Sequence, residues 1–121
     1  MGAVLIMVAC SGIVDPSQNE TETFAGTIPF GGSSEQHTFE VDKNGEYSVT
    51  LNSLAPPTGS LVGVRLSVLS SGTCVLIAVQ PGQVGKPALS GPIDKGTYCL
   101  QLYDPGTLAQ TEAYSVTVSH P

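Results

Sequence analysis

Gly45-Glu46-Tyr47-Ser48-Val49-Thr50-Leu51 is a β-strand written out in sequence. Period two sends Tyr47, Val49 and Leu51 to one face and Ser48 and Thr50 to the other. The same grammar returns in Gly96-Thr97-Tyr98-Cys99-Leu100-Gln101-Leu102 and in Glu112-Ala113-Tyr114-Ser115-Val116-Thr117-Val118. Each segment opens near a tyrosine and then places an aliphatic residue at every second position. The first and third have one apolar and one polar face, as in an antiparallel sheet with one side solvated. The second carries apolar character on both faces, because Cys99 and Tyr103 stand opposite Leu100 and Leu102. The unequal spacing from Tyr47 to Tyr98 to Tyr114 excludes a solenoid of equal repeats.

Outward from these strands the pattern continues. Apolar or alternating runs occupy Thr23 to Phe30, His37 to Val41, Tyr47 to Leu54, Leu61 to Ser70, Cys74 to Gln80, Thr97 to Asp104 and Ala113 to Ser119. A weaker run near Ala88 to Ile93 makes an eighth. Gly, Pro, Asn, Asp and Ser cluster between them, as at Asp42-Lys43-Asn44-Gly45, Ser70-Ser71-Gly72 and Asp104-Pro105-Gly106. Short strands at regular spacing with turn residues between them predict an all-β antiparallel sandwich of seven or eight strands. No segment sustains the three-and-four spacing of an amphipathic helix. The 121 residues suffice for one such domain.

The resemblance that these strands carry is to the bacterial pre-peptidase C-terminal domain. It spans about Thr23 to Ser119. It rests on His37-Thr38-Phe39-Glu40-Val41 leading through an Asn-Gly turn to Tyr47–Leu51, on Gly96 to Asp104, and on the closing Tyr114 to Val118. The resemblance implies a β-sandwich of jelly-roll type and a non-catalytic module of a secreted or surface protein.

The chain begins Met-Gly-Ala-Val-Leu-Ile-Met-Val-Ala-Cys. The apolar run from Ala3 to Ala9 is only about 11 Å long as a helix, against the ~20 residues that a membrane span needs. It reads as the end of a signal-peptide hydrophobic region. Met7-Val8-Ala9-Cys10 resembles a bacterial lipobox, which implies lipidation of Cys10 and attachment to a membrane. The expected organisation is therefore leader and lipobox over 1–10, flexible tether over 11–22 and sandwich over 23–121. With Cys10 acylated, Cys74 and Cys99 remain as an even pair in an oxidising compartment, which predicts a disulfide.

The charge balance is four basic against ten acidic residues, a formal net charge of −6. Nucleic acid is excluded as a partner, since its binding needs clustered Lys and Arg. Catalytic signatures are missing: there is no Gly-x-Ser-x-Gly elbow and no His-Glu-x-x-His pair. His37, expected at the surface, and His120, expected to fray beside the end of the sequence, do not form an obvious constellation. No cofactor is expected, with turn carboxylates Asp42, Asp94 and Asp104 as the candidates should calcium bind. The reading is a non-enzymatic extracytoplasmic module for binding or assembly at the cell envelope, with a protein or polysaccharide ligand. The alternatives are an accessory domain that stabilises a secreted enzyme and a carbohydrate-binding module, the latter needing an exposed aromatic platform such as Tyr103.

Overall fold

Eight strands alternate with tight turns and loops in the computed structural model, which describes residues 19–121. They are β1 (Glu20–Ile28), β2 (His37–Val41), β3 (Gly45–Ala55), β4 (Val62–Ser70), β5 (Thr73–Gly82), β6 (Pro87–Ile93), β7 (Gly96–Tyr103) and β8 (Glu112–His120). One four-stranded sheet runs β1-β8-β3-β6 and the other β2-β7-β4-β5. Every pairing is antiparallel. Successive strands change sheets except at the β4–β5 hairpin, which is the eight-stranded jelly-roll order. The expected fold class is thus the observed one, and the weak run at Ala88–Ile93 is a full strand.

The core lies between the sheets and follows the period-two rows. Val49, Leu51, Val116, Val118, Leu66, Leu100 and Leu102 are fully buried. The outer face of the first sheet is polar. There Thr23 and Thr117 share a hydroxyl contact of 3.2 Å, and Asn52 donates to Thr117 Oγ1 at 2.7 Å. Asn52 occupies a register shift in β3, after which the inward row resumes at Leu54.

The strand registers fix two ends. Loops 29–36, 56–61, 83–86 and 104–111 share the loop end, because Ile28 pairs with Glu112 and Gly63 with Tyr103. The short connections 42–44, 71–72 and 94–95 share the turn end. Ser71 and Gly72 have φ of 52° and 79°. Positive φ at both central residues is the type I′ turn, whose twist suits a two-residue hairpin.

Two sequence boundaries move. The first strand starts at Glu20, not Thr23, so the ordered sandwich takes in Glu20, Thr21 and Glu22. The inward row of β1 runs Glu22, Phe24, Gly26, Ile28, and Glu22 holds its place because His120 faces it. The last strand does not fray. His120 pairs with Glu20 in β8, a strand flanked by both β1 and β3, and it is 1 % exposed. The leader and Cys10 lie outside the described residues.

Candidate interaction surfaces

The two imidazoles belong to the core. His37 opens β2 at the open edge between the sheets. Its ring stacks on Phe24 with centroids 4.8 Å apart, and Nε2 lies 2.6 Å from the Tyr114 hydroxyl. Burial raises the Tyr114 pKa, which keeps its hydroxyl protonated. The Tyr114 ring fits because it lies over Gly26, where any Cβ would stand 2.8 Å from Oη. His120 places Nε2 2.7 Å from Glu22 Oε2 and Nδ1 3.0 Å from the Pro121 main-chain oxygen. Glu112, at the other end of the β8 inward row, is 2 % exposed, and its Oε1 has no partner among the described residues.

The disulfide joins Cys74 to Cys99 with a Cα separation of 6.2 Å, inside the range such a bond allows. Leu100 and Leu102 are fully buried inward, so Cys99 takes the outer face of the second sheet, as its place beside Leu100 predicts. Cys99 pairs with Ser67 of β4 and Cys74 with Leu69 of the same strand. The bridge therefore crosses over β4. Strands two apart in a flat sheet stand about 9–10 Å from each other. The shorter separation means that the β4–β5 hairpin curls over its own sheet, helped by a bulge at Ile77.

On the same outer face Tyr103 lies flat on Gly63, where a Cβ would fall 2.0 Å from the ring. The Arg65 guanidinium carbon stands 3.9 Å from the ring centroid. Arg65 also donates to Gln101 Oε1 at 3.1 Å. Gly63 and Arg65 occupy both faces of the ring, so Tyr103 is not an open platform for stacking a sugar.

The turn carboxylates do not converge. Asp42 and Asp94 belong to the turn end, whereas Asp104 follows the far end of β7, roughly 25 Å away by strand length. No group of three or more metal-ligating side chains exists among the described residues. Asp104 instead organises loops. Its Oδ2 accepts from Gly31 N–H at 2.8 Å, and its Oδ1 from the N–H groups of Gly106, Thr107 and Leu108 at 2.8–3.1 Å. The hydrogen bond from Gly31 leads in holding its pKa below the ordinary value, with the other three adding to it.

Asp104 thereby fixes the turn Pro29-Phe30-Gly31-Gly32. Gly32 N–H donates to Pro29 O at 2.9 Å, and Gly31 has φ of 73° at the third position, which is the type II turn. Phe30 N–H donates to Thr111 Oγ1 at 3.0 Å, and Asp104 N–H donates to Gly32 O at 2.9 Å. The main chain is tied on every side, yet the Phe30 side chain is 64 % exposed, more than any other large apolar residue described. The sequence gives no sign of this site. Phe30 reads there as the last apolar residue of a strand, and only the long-range bonds from Asp104 and Thr111 turn it outward.

A second apolar surface lies on β5. Val75, Leu76, Ile77 and Val79 are 49, 53, 52 and 40 % exposed. Beside it an open groove of about 340 Å³ is lined by Tyr47, Leu66, Ile77, Pro92, Ile93 and Tyr98, with the carboxylate residue Asp94 at its wall. Burial raises the Tyr47 pKa, in keeping with an apolar floor.

Comparison with family models finds no match, and comparison with curated proteins finds none in sequence. The fold has solved counterparts. The chain is similar to the Yersinia pseudotuberculosis-derived mitogen, with 15 % identity over 85 % of this chain and 87 % of that one and a TM-score of 0.59. It is also similar to Aeromonas hydrophila PliG, a periplasmic lysozyme inhibitor of g-type lysozyme, with 13 % identity over 85 % and 88 % of the two chains and a TM-score of 0.51. At these identities the likeness is one of fold.

Proposed function

We propose that the chain is a non-enzymatic, extracytoplasmic protein-binding module that engages its partner through the Phe30 turn. The carrying observation is an exposed aromatic side chain on a main chain already fixed by hydrogen bonds. Such a side chain enters an apolar pocket without first ordering its loop, and ordering is a large share of what binding costs. Aromatic anchors of this kind dominate interface energetics, and loops held on a rigid sandwich are where binding residues concentrate. The complementary partner surface is an apolar pocket.

Supporting the non-enzymatic reading, the only two histidines of the sequence are committed to packing. The Cys74–Cys99 disulfide supports a location outside the reducing cytoplasm. Attachment by lipid on Cys10 is part of the same proposal, and mass spectrometry of the mature N-terminus tests it: an unacylated Cys10 removes the anchor. The jelly-roll order supports the resemblance to the pre-peptidase C-terminal domain at the level of fold. The inhibitor among the structural counterparts is named for a protein target, which makes a protein ligand the first to test.

A photoreactive phenylalanine analogue at position 30, introduced in the native host, tests the binding reading. A discrete adduct at position 30, and none from the same group at exposed Thr38, is the expected result. Equal labelling from both positions, or none from either, overturns it.

A further inference from the structure

Strands β4, β5 and β7 hold one charged side chain between them, Arg65, and no carboxylate, in a chain with ten acidic residues. Val64 and Leu66 are fully buried, so Arg65 stands on the outer face of the second sheet, between Gln101 of β7 and Val79 of β5. Its neighbours fix the guanidinium. The Tyr103 ring centroid lies 3.9 Å from the guanidinium carbon, Gln101 Oε1 accepts from Nη1 at 3.1 Å, and Ser33 Oγ lies 3.5 Å from the same nitrogen. Gln101 is itself held, its Nε2 donating to Ser34 O at 2.9 Å. Gly63 gives the ring room to lie flat, since a Cβ there would fall 2.0 Å from it.

The result is a cation with a fixed head and an unused edge. Both polar contacts of the guanidinium come from Nη1, and Nε and Nη2 have no partner among the described residues. No described carboxylate pairs with Arg65. The acids beside its neighbours are committed elsewhere: Asp104 accepts from four main-chain N–H groups, and Glu35 lies 3.9 Å from His37 Nδ1. Stacking on an aromatic ring uses the guanidinium face and leaves the in-plane donors free. Two parallel N–H groups match the two oxygens of a carboxylate. A head ordered beforehand also spares the binding event the cost of ordering it.

The stack adjoins the stretch that carries Phe30. Ser33 forms a β-bridge with Tyr103, and Asp104 N–H donates to Gly32 O at 2.9 Å. Phe30 precedes Ser33 by three positions, at most about 11 Å of chain. A standard interface covers about 800 Å² per partner, a patch roughly 30 Å across, which is wide enough for both.

We infer that Arg65, held flat by Tyr103, is a carboxylate-binding site, and that its ligand is an Asp or Glu side chain beside the apolar pocket of the protein that takes Phe30. The source of the carboxylate rests on the Phe30 reading, whereas the chemistry of the site does not. Propionate, which ends as a glutamate side chain does, is the probe. The Arg65 Nε–H signal is followed by NMR in the purified full chain, with Cys10→Ser to exclude acylation and sodium chloride of equal ionic strength as reference. The expected result is a saturable shift with half-saturation below roughly 100 mM, and none from the neutral propionamide. Tyr103→Leu, which frees the head, raises the half-saturation by about threefold or more. No saturable shift, an equal shift from propionamide, or indifference to Tyr103→Leu overturns the site.

The source is tested in the native host with the photoreactive group at position 30. Arg65→Gln should cut the yield of the protein adduct by about tenfold, the loss expected for one charge-assisted pair. Unchanged amide signals over residues 29–34 show that the turn keeps its shape in this variant. An undiminished adduct overturns the inference and leaves the Phe30 reading standing. Absence of any adduct from the wild type removes that reading and the protein source with it, while the propionate titration still decides the site. A shift from glucuronate with none from propionate marks an acidic polysaccharide and overturns the protein ligand.

Discussion

Single side chains set the sharpest demands. Gly63 carries no side chain because the Tyr103 ring occupies that space. Gly63→Ala is expected to displace the ring, release Arg65 and cost about 1–3 kcal/mol, the range for forcing extra atoms into a packed site; urea denaturation measures it. Asp104 offers a pH test. Its folded pKa lies below the ordinary value of an aspartate, so its contribution is complete above that value and is lost as pH falls through the folded pKa. The stability difference between wild type and Asp104→Asn should be constant near neutrality and shrink toward zero in acid. A difference that persists at the acid limit refutes the carboxylate's role as loop organiser. Phe30→Ala should leave the melting temperature unchanged, because its ring is mostly in solvent.

At the scale of elements, the β4–β5 hairpin is the piece whose shape depends on a covalent bond. The disulfide closes a separation of 25 residues across an intervening strand. Replacing Cys74 and Cys99 together by Ala should lower stability by roughly 2–4 kcal/mol. Hydrogen exchange locates the effect: amides of β5 should lose protection first, while β3 and β8 retain theirs. Uniform loss over all strands would mean that the bridge acts on the unfolded chain alone. Strand β1 matters for a different reason. Its first three residues look like tether in sequence, yet Glu22 meets buried His120 at 2.7 Å. A chain starting at residue 23 should be less stable than one starting at residue 19 by about 1–3 kcal/mol, the cost of leaving a buried polar group unpartnered.

For the whole molecule, the jelly roll separates tasks by position. The inward rows form the core, the turn end closes strands with minimal connections, and the loop end carries the tethered Phe30. The β5 edge faces away from the Phe30 turn in strand order, since β1 and β2 flank one open side of the sandwich and β5 and β6 the other.

What the sequence determined by itself was the fold class, most strand positions and the disulfide. Period-two alternation, turn residues and an even cysteine pair are local signals, and they survive without knowledge of the neighbours. It also placed Cys99 opposite Leu100, because side-chain direction in a strand needs only counting. Tertiary structure decided what depended on partners distant in the chain. His120 looked like a fraying end until β1 and β3 enclosed it, and Glu22 looked like linker until His120 faced it. Asp104 stood among the carboxylates offered for calcium, and only the tertiary structure shows it accepting from four main-chain N–H groups. The exposure of Phe30 and of the β5 aliphatic residues was invisible for the same physical reason. Hydrophobicity is written in the sequence, but exposure is set by which strands end up at an edge and which loops are tied down.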